Sequence, residues 1–189
     1  MPFDHFALIA GFYDRARQFR ISAPMLGSLA LSPNCLLLDA GGGTGRVAAA
    51  LRSLVREVFV MDISPGMLRS AASKGLATVC APAESLPFPS GIFDRIIMID
   101  ALHHVTDQRQ TARELWRVLI PGGRIVIVEP DIRKFIVKLL AIGEKVLLMR
   151  SHFLAVGEIG SLFTDPDVKI GVNCNEINVI FVAEKIKRL

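Results

Sequence analysis

Short apolar runs alternate with helical patterns through the middle of the chain. Five of these runs predict β-strands, because each is brief, almost continuously apolar and bounded by turn residues. The predicted strands cover residues 36–39, 58–62, 77–80, 94–99 and 124–129. Several segments between them repeat apolar residues at intervals of three and four, which predicts amphipathic helices. Strands of this kind are typical of a parallel sheet that is buried on both faces.

Capping residues indicate where two of these helices begin or end. Ser64 precedes Pro65, which is the usual order of an N-cap and a first helical residue. A second helix is predicted from about Asp107 to Leu119, and the proline and two glycines of residues 121–123 end it.

The pattern changes after residue 131. Residues 133–150 predict one long helix, and residues 156–163 predict a short one. Residues 167–173 and 177–184 predict two strands joined as a hairpin. We therefore predict an α/β fold: a doubly wound, mostly parallel sheet of seven strands with an antiparallel final strand.

Composition excludes several classes of partner. The 189 residues suit one domain. Mean hydropathy is high at +0.44, but charged residues interrupt the longest apolar stretch, so no transmembrane segment is predicted. The three cysteines and four histidines are scattered, which predicts no metal site, no disulfide framework and a cytoplasmic location. The net charge of +4 comes without a basic cluster, so no nucleic-acid partner is expected.

A glycine-rich loop follows the first predicted strand. Residues 39–45 read DAGGGTG and lead into a helix. Glycines let the backbone approach a ligand closely, and a helix start favours negative charge. Asp62 ends the second strand, where a carboxylate can accept hydrogen bonds from two ribose hydroxyls. The loop therefore predicts a nucleotide-containing cofactor at the carboxyl edge of the sheet.

Two cofactor classes fit this loop. Residues 43–48 meet the dinucleotide fingerprint loosely, which leaves an NAD(P)-dependent oxidoreductase as an alternative. Asp39 would crowd a pyrophosphate, but it can accept hydrogen bonds from an ammonium group. An amino-acid-bearing nucleoside therefore suits it better. The chain's one tyrosine, Tyr13, has Arg17 where a short-chain dehydrogenase needs lysine, which also disfavours the oxidoreductase.

Four segments in order resemble the motifs of class I S-adenosylmethionine-dependent methyltransferases: LLLDAGGGTGRVA, VFVMDISPGML, AESLPFPSGIFDRIIMIDALHHV and LWRVLIPGGRIVIVEP. They are most similar to the branch of ubiquinone and menaquinone C-methyltransferases, whose lid segment the N-terminal FDHFALIAGFYD also resembles. The resemblance implies a single methyltransferase domain over residues 1–189. Its parts would be N-terminal lid helices (1–30), a cofactor-binding core (36–130), a substrate-side helical insertion (131–163) and a terminal hairpin (167–184).

The same resemblance implies S-adenosyl-L-methionine as the cofactor. The residues that it places around this cofactor are Tyr13, Asp39, Gly41, Gly43, Gly45, Asp62, Ile63, Met67, Ala83 and Glu84. Asp39 and the glycines would hold the methionine moiety, and Asp62 would bind the ribose. Ala83 and Glu84 would lie at the adenine end. Pro82 departs from the family pattern, which often has aspartate there, so cofactor binding is expected to be weaker or rearranged.

Methyl transfer is an in-line displacement, so the protein mainly orients the reactants and supplies a base where the acceptor must lose a proton. His103 and His104 follow the fourth strand and are the candidate catalytic residues. Glu129 and Asp131 follow the fifth strand and are expected to face the same crevice. Asp100 either caps the turn or contacts a ligand.

The long helix predicted at residues 133–150 has a narrow lysine stripe and a broad apolar face. Its apolar surface beside the crevice favours a small methyl acceptor of lipid-like or quinone-like character. A homodimer through this helix and a peripheral membrane contact are rival explanations of the same face. A catalytically silent binding protein on this fold is a further alternative, which Pro82 favours.

Overall fold

A seven-stranded sheet forms the centre of the protein. The computed structural model describes residues 21–131, 152–174 and 178–187. The strands are β1 (Leu36–Ala40), β2 (Glu57–Asp62), β3 (Ala77–Cys80), β4 (Phe93–Ile99), β5 (Leu119–Pro130), β6 (Val168–Cys174) and β7 (Asn178–Lys185). Their spatial order is β3-β2-β1-β4-β5-β7-β6, and β7 runs antiparallel to both β5 and β6. The predicted fold class is confirmed, including the antiparallel final strand.

Helices pack on both faces of this sheet. They are α1 (Ala23–Leu29), α2 (Arg46–Leu51), α3 (Pro65–Ser73), α4 (Gln108–Val118) and α5 (Val156–Gly160). One core cluster contains the buried residues of α1, α2 and α3, and the other contains those of α4 and α5. Neighbouring strand residues alternate between the two clusters: Leu37 lies in the first and Leu38 in the second. This alternation explains why the strands are almost continuously apolar.

The predicted cap at Ser64 is present, and the structure adds a cap at Asp107. The Ser64 hydroxyl accepts a hydrogen bond from the Met67 N–H at 3.2 Å. At the start of α4, the Asp107 carboxylate accepts one from the Gln110 N–H at 2.9 Å. Both side chains satisfy a backbone donor that the first turn of a helix leaves unpaired.

Two boundaries differ clearly from the prediction. β5 begins at Leu119 rather than at Arg124, because Leu119 already pairs with Phe93 of β4. α5 ends at Gly160 instead of continuing to residue 163. The predicted helix at residues 133–150 lies outside the described residues. Among the helices that the structure describes, none is long and apolar enough to cross a membrane.

Candidate active site

A cleft of about 490 Å³ opens at the carboxyl ends of β1, β2 and β4. Its volume lies within the range of ordinary small-molecule sites. The predicted site residues that line it are Asp39, Gly41, Gly43, Asp62, Ile63, Met67, Ala83, Glu84 and His104. The topology thus brings the glycine loop, the end of β2 and the loop after β4 together around one space.

The glycine loop lies directly over Asp39. Both the Gly41 and Gly42 N–H groups donate to the Met61 carbonyl, at 2.7 and 3.1 Å. A β-carbon added at Gly42 would come within 2.6 Å of the Asp39 Cγ. Only glycine allows so close an approach, so this loop keeps the carboxylate covered from one side.

Asp39 is buried at the floor of the cleft. It is 2% exposed, and its Oδ2 has no hydrogen-bond partner among the residues that the structure describes. The pKa of this carboxyl is raised to about 7 overall, and burial is the largest cause. The Asp62 charge also raises it, against a backbone hydrogen bond from Ala48 and the charge of Arg46, which lower it. Because Asp39 lines the cleft, its carboxylate can accept hydrogen bonds from a cationic donor such as an ammonium group.

Asp62 is held by the backbone on both sides. Its Oδ2 accepts the Gly43 N–H at 2.9 Å, and its Oδ1 accepts the Ser64 N–H at 2.8 Å. These bonds fix the carboxylate plane at the cleft wall. Each carboxylate oxygen can accept a second hydrogen bond, so Asp62 fits the two hydroxyls of a ribose.

Glu84 joins two loops across the cleft. Its Oε1 accepts the backbone N–H groups of Thr106 and Asp107, at 2.7 and 3.2 Å. The neighbouring Pro82 also lines the cleft, and its carbonyl accepts the Ser85 N–H at 3.1 Å. The resemblance placed Glu84 at the adenine end. Its contacts show a further role that the sequence did not reveal, because Glu84 also holds the loop after β4.

The prediction that His103 and Glu129 face the cleft is wrong. Both are buried and outside its lining. The His103 Nδ1 bonds with Glu129 Oε2, and its ring stacks on Phe153 with centroids 4.3 Å apart. Glu129 Oε1 also accepts the N–H groups of Ala101 and Leu102, at 3.1 and 2.8 Å. Glu129 turns inward because two buried backbone N–H groups and the His103 ring converge on it.

Asp131 was also expected to face the crevice, and it does not line the cleft either. It is 3% exposed and lies at the end of β5. One feature of the sequence could have distinguished Glu129 from the acidic residues of the cleft. Glu129 belongs to the apolar run RIVIVE, and a strand of this kind is covered on both faces of the sheet.

His104 is the histidine that reaches the cleft. Burial lowers the pKa of His104 to about 3, and the electrostatic influence of His103 contributes to this decrease. The two rings are 4.0 Å apart between centroids. His104 is therefore neutral near pH 7 and a weak base, and it suits hydrogen bonding to an acceptor better than removal of a tightly held proton.

Arg46 and Asp100 line the cleft, and the sequence did not reveal their pairing. Arg46 is the first residue of α2, and its Nη2 lies 3.7 Å from Asp100 Oδ2. Asp100 follows β4 with φ of +51°, a backbone conformation that few non-glycine residues adopt. The pair could not be inferred from spacing, because it depends on how β1 and β4 are placed side by side in the sheet.

Gly45 was predicted to contact the cofactor, but it does not line the cleft. Its φ is +70°, and an added β-carbon would lie 2.5 Å from Leu76 Cδ1 and 3.0 Å from Ala71 Cβ. A larger residue would not fit at position 45, because α3 and the residues after it pack against the start of α2. Tyr13 lies outside the described residues.

A second cavity of about 350 Å³ adjoins the cleft. Its lining residues are His104, Val105, Thr106, Gln108 and His152, of which the first three also line the cleft. Gln108 Nε2 donates to the carbonyls of Leu102 and His152, at 3.1 and 2.7 Å. His104 therefore lies where the two spaces meet.

Comparison with known sequences identifies the same segment. The model of a methyltransferase domain family matches residues 38–127. A ubiquinone/menaquinone biosynthesis C-methyltransferase of Edwardsiella ictaluri is 39% identical over 104 residues, which are 49% of this chain and 41% of that protein. The chain thus spans about two fifths of the length of the curated relatives that it matches.

Comparison with solved structures supports the fold. A chain solved in complex with the Trm112 methyltransferase activator of Haloferax volcanii has a TM-score of 0.84 at 17% identity, with 99% of this chain and 100% of that chain covered. Geranyl diphosphate C-methyltransferase from Streptomyces coelicolor, solved with S-adenosyl-L-homocysteine, has a TM-score of 0.72 at 13% identity, with 85% and 75% covered.

The family match and the order of the strands indicate the same fold. The cleft of this fold fits a nucleoside that carries an amino acid. S-adenosylmethionine is the cofactor of this family, as the resemblance of the motifs implied. The comparisons support a class I S-adenosylmethionine-dependent methyltransferase: residues 38–127 match the methyltransferase domain, and the sheet has the strand order of that fold.

Proposed function

We propose that this protein transfers the methyl group of S-adenosylmethionine to a small, apolar acceptor of lipid-like or quinone-like character. The observation that carries the proposal is the pair of carboxylates in one cleft. Asp39 is buried with an unpaired oxygen, and Asp62 is fixed by two backbone donors. A ligand that carries both an ammonium group and a ribose would provide hydrogen-bond donors for the two carboxylates.

The bound cofactor would supply an electrophilic methyl group on its sulfonium. The chain's own residues would bind and orient it. Asp39 would accept hydrogen bonds from the ammonium group, and Asp62 would accept them from the ribose hydroxyls. Ile63, Met67 and Ala83 would form the apolar wall beside the adenine.

The acceptor would enter through the second cavity, beside His104. A neutral imidazole there can accept a hydrogen bond from an acceptor hydroxyl and hold it in line with the methyl group. The relatives named as ubiquinone/menaquinone C-methyltransferases support a quinone-like acceptor, and the apolar face that the sequence predicts for residues 133–150 agrees with it.

Calorimetric titration with S-adenosylhomocysteine, S-adenosylmethionine and NAD(H) tests the cofactor. We expect the first two to bind with dissociation constants of about 1–100 μM, and Asp62→Ala to abolish this binding. Asp165→Ala, which removes a carboxylate away from the cleft, is the matched control and should bind as the wild type does. Binding of NAD(H) alone would overturn the proposal in favour of an oxidoreductase.

A catalytically silent binding protein is the second candidate, because Pro82 replaces an acceptor that the family often has at the adenine end. It predicts cofactor binding without methyl transfer. Incubation with radiolabelled S-adenosylmethionine and a panel of prenylated quinols and phenols distinguishes the two. Label in any acceptor with wild-type protein and none with Asp62→Ala would support the enzyme.

A further inference from the structure

We propose that β6 is an interaction surface for a second copy of this chain, which pairs with it strand to strand, antiparallel, around a two-fold axis at Gly171. β6 is the last strand of the sheet, and β7 pairs with one of its edges. The other edge pairs with no strand among the residues that the structure describes. Two strands, β5 and β7, separate β6 from the strands that form the cleft, so this surface is distinct from the cofactor site.

The backbone of β6 directs hydrogen-bonding groups away from the sheet. The Ile186 N–H donates to the Asp167 carbonyl at 2.8 Å, so position 167 exchanges hydrogen bonds with β7. Because such positions alternate along an antiparallel ladder, Ile170 and Val172 direct their N–H and C=O groups outward. A row of outward groups at the edge of a sheet is a template for a further strand.

The exposed side chains of β6 form an apolar row on one face of the sheet. Ile170 and Val172 are each 44% exposed. They pair in register with Ala183 and Phe181 of β7, which belong to the core cluster on the side of α4 and α5. Paired residues of neighbouring strands share a face. The apolar row therefore continues this core layer past the edge of the sheet, and a second copy would bury it.

The sequence of β6 is complementary to itself. Gly171 is the middle residue of the strand, so antiparallel pairing centred there aligns all of β6 with its copy. Ile170 then faces Val172 of the second copy, and their outward groups form hydrogen bonds on both sides of the axis. Lys169 faces Asn173, which keeps the two lysines of the dimer about 14 Å apart. Pairing centred on Lys169 would instead place like charges directly opposite each other, which destabilises a sheet.

Gly171 suits a position on the axis. Its own N–H and C=O groups face β7, so it would stand opposite its copy in the closer kind of antiparallel pair, with Cα atoms about 4.5 Å apart. Glycine weakens the middle of a strand and often marks a close approach of another backbone. A β-carbon added at Gly171 would meet Val182 at 3.8 Å, an ordinary contact. Packing within the described chain therefore does not require glycine here.

The size of the surface sets the expected affinity. β6 contributes seven residues, fewer than the roughly 20–30 per partner of a standard interface. We therefore expect a weak dimer, with a dissociation constant of about 10–100 μM. A strand from a different protein is the alternative occupant of this edge, and it would leave the purified chain monomeric.

Disulfide trapping tests the register. The exposed Cys80 and Cys174 are first replaced by serine, which leaves the buried Cys35. Gly171→Cys should then form a disulfide-linked dimer with oxidised glutathione, because the Cα distance across the axis suits a disulfide. Lys169→Cys is the matched control. Its two cysteines would lie about 14 Å apart, so it should remain monomeric on a non-reducing gel.

Sedimentation equilibrium tests the affinity of the unmodified chain. We expect dimers to accumulate between about 5 and 500 μM. Ile170→Lys should weaken association by about tenfold or more, because each copy then brings a charge into the apolar row. Leu54→Lys is the control, since Leu54 is 40% exposed and lies before β2, away from β6. It should associate as the wild type does, and circular dichroism checks that both variants fold.

Each result supports or overturns the pairing. A wild-type chain that stays monomeric at about 500 μM would overturn it and favour a different protein as the occupant. Equal cross-linking of Gly171→Cys and Lys169→Cys, or equal loss of association in Ile170→Lys and Leu54→Lys, would also overturn it.

If Gly171→Cys does not fold, a mixture of the Lys169→Cys and Asn173→Cys chains makes the same test, because these two positions face each other in this register. Cross-linking of the mixture, with little in either chain alone, would support the pairing, and its absence would overturn it. These outcomes are separate from cofactor binding, which the calorimetry with S-adenosylhomocysteine measures.

Discussion

Asp39 shows a conflict between stability and ligand binding within one residue. Its carboxyl is buried with an unpaired oxygen, and its pKa is raised from 3.8 to about 7. The folded chain therefore holds a proton more tightly than the unfolded chain does between these two values. The contribution of Asp39 to stability consequently falls as the pH rises from about 4 to 7, and it stays low above pH 7.

Asp39→Asn should therefore stabilise the ligand-free protein at pH 8 while it abolishes binding of S-adenosylhomocysteine. An amide has nearly the same shape and carries no charge to bury. We expect a gain on the order of 2 kcal/mol, or about 4–8 °C in melting temperature for a chain of this size. Thermal melts at pH 8 and pH 4 check this, and the gain should disappear at pH 4.

Asp94→Asn is the matched control for this prediction. The Asp94 Oδ2 already accepts the Leu36 N–H at 2.8 Å, so the same chemical change relieves no unpaired oxygen. A stabilisation of Asp39→Asn that is equal at both pH values would contradict the electrostatic explanation.

The start of α2 depends on close packing at Gly45. Gly45→Ala should cost about 2–5 kcal/mol, because it combines the strain of a positive φ with the overlap on Leu76 and Ala71. Gly91→Ala separates these two causes. Gly91 has φ of +64° and nothing within 4 Å of the added carbon, so it should cost only about 1–2 kcal/mol. Urea unfolding of both variants gives the comparison, and equal costs would show that packing at Gly45 contributes nothing.

The sequence was most informative about individual helices and strands. The strands and the cap at Ser64 could be predicted, since each depends on neighbours in the chain. Asp39 and Asp62 were predictable as cleft residues for a similar reason: both stand at the tips of parallel strands, which meet at one edge.

Contacts between elements could not be predicted. His103 and His104 are adjacent in sequence, yet one is buried against Glu129 and the other lines the cleft. The difference arises from the short helical turn at residues 102–104 and from Phe153, which is distant in sequence. The Arg46–Asp100 pair is similar, because α2 and the end of β4 meet only in the folded sheet.

At the scale of the whole molecule, the terminal hairpin completes the core. β7 lies between β5 and the edge strand β6, and Phe181 of β7 is fully buried and stacked on Phe163. Phe181→Ala should cost about 3–5 kcal/mol. Ile170→Ala, on the neighbouring strand but 44% exposed, should cost less than about 1 kcal/mol. Chemical denaturation measures the free energy of unfolding of both variants. A small loss for Phe181→Ala would mean that β6 and β7 contribute little to the stability of the core.

The buried carboxylate of Asp39 at the floor of the cleft affects how fast the protein would be degraded in a cell. A ligand that pairs with Asp39 stabilises the folded chain in proportion to the logarithm of its concentration. Proteases act on the fraction of molecules that is transiently unfolded. The amount of this protein would therefore follow the supply of its cofactor: starvation for methionine would shorten its half-life, and Asp39→Asn would remove that dependence.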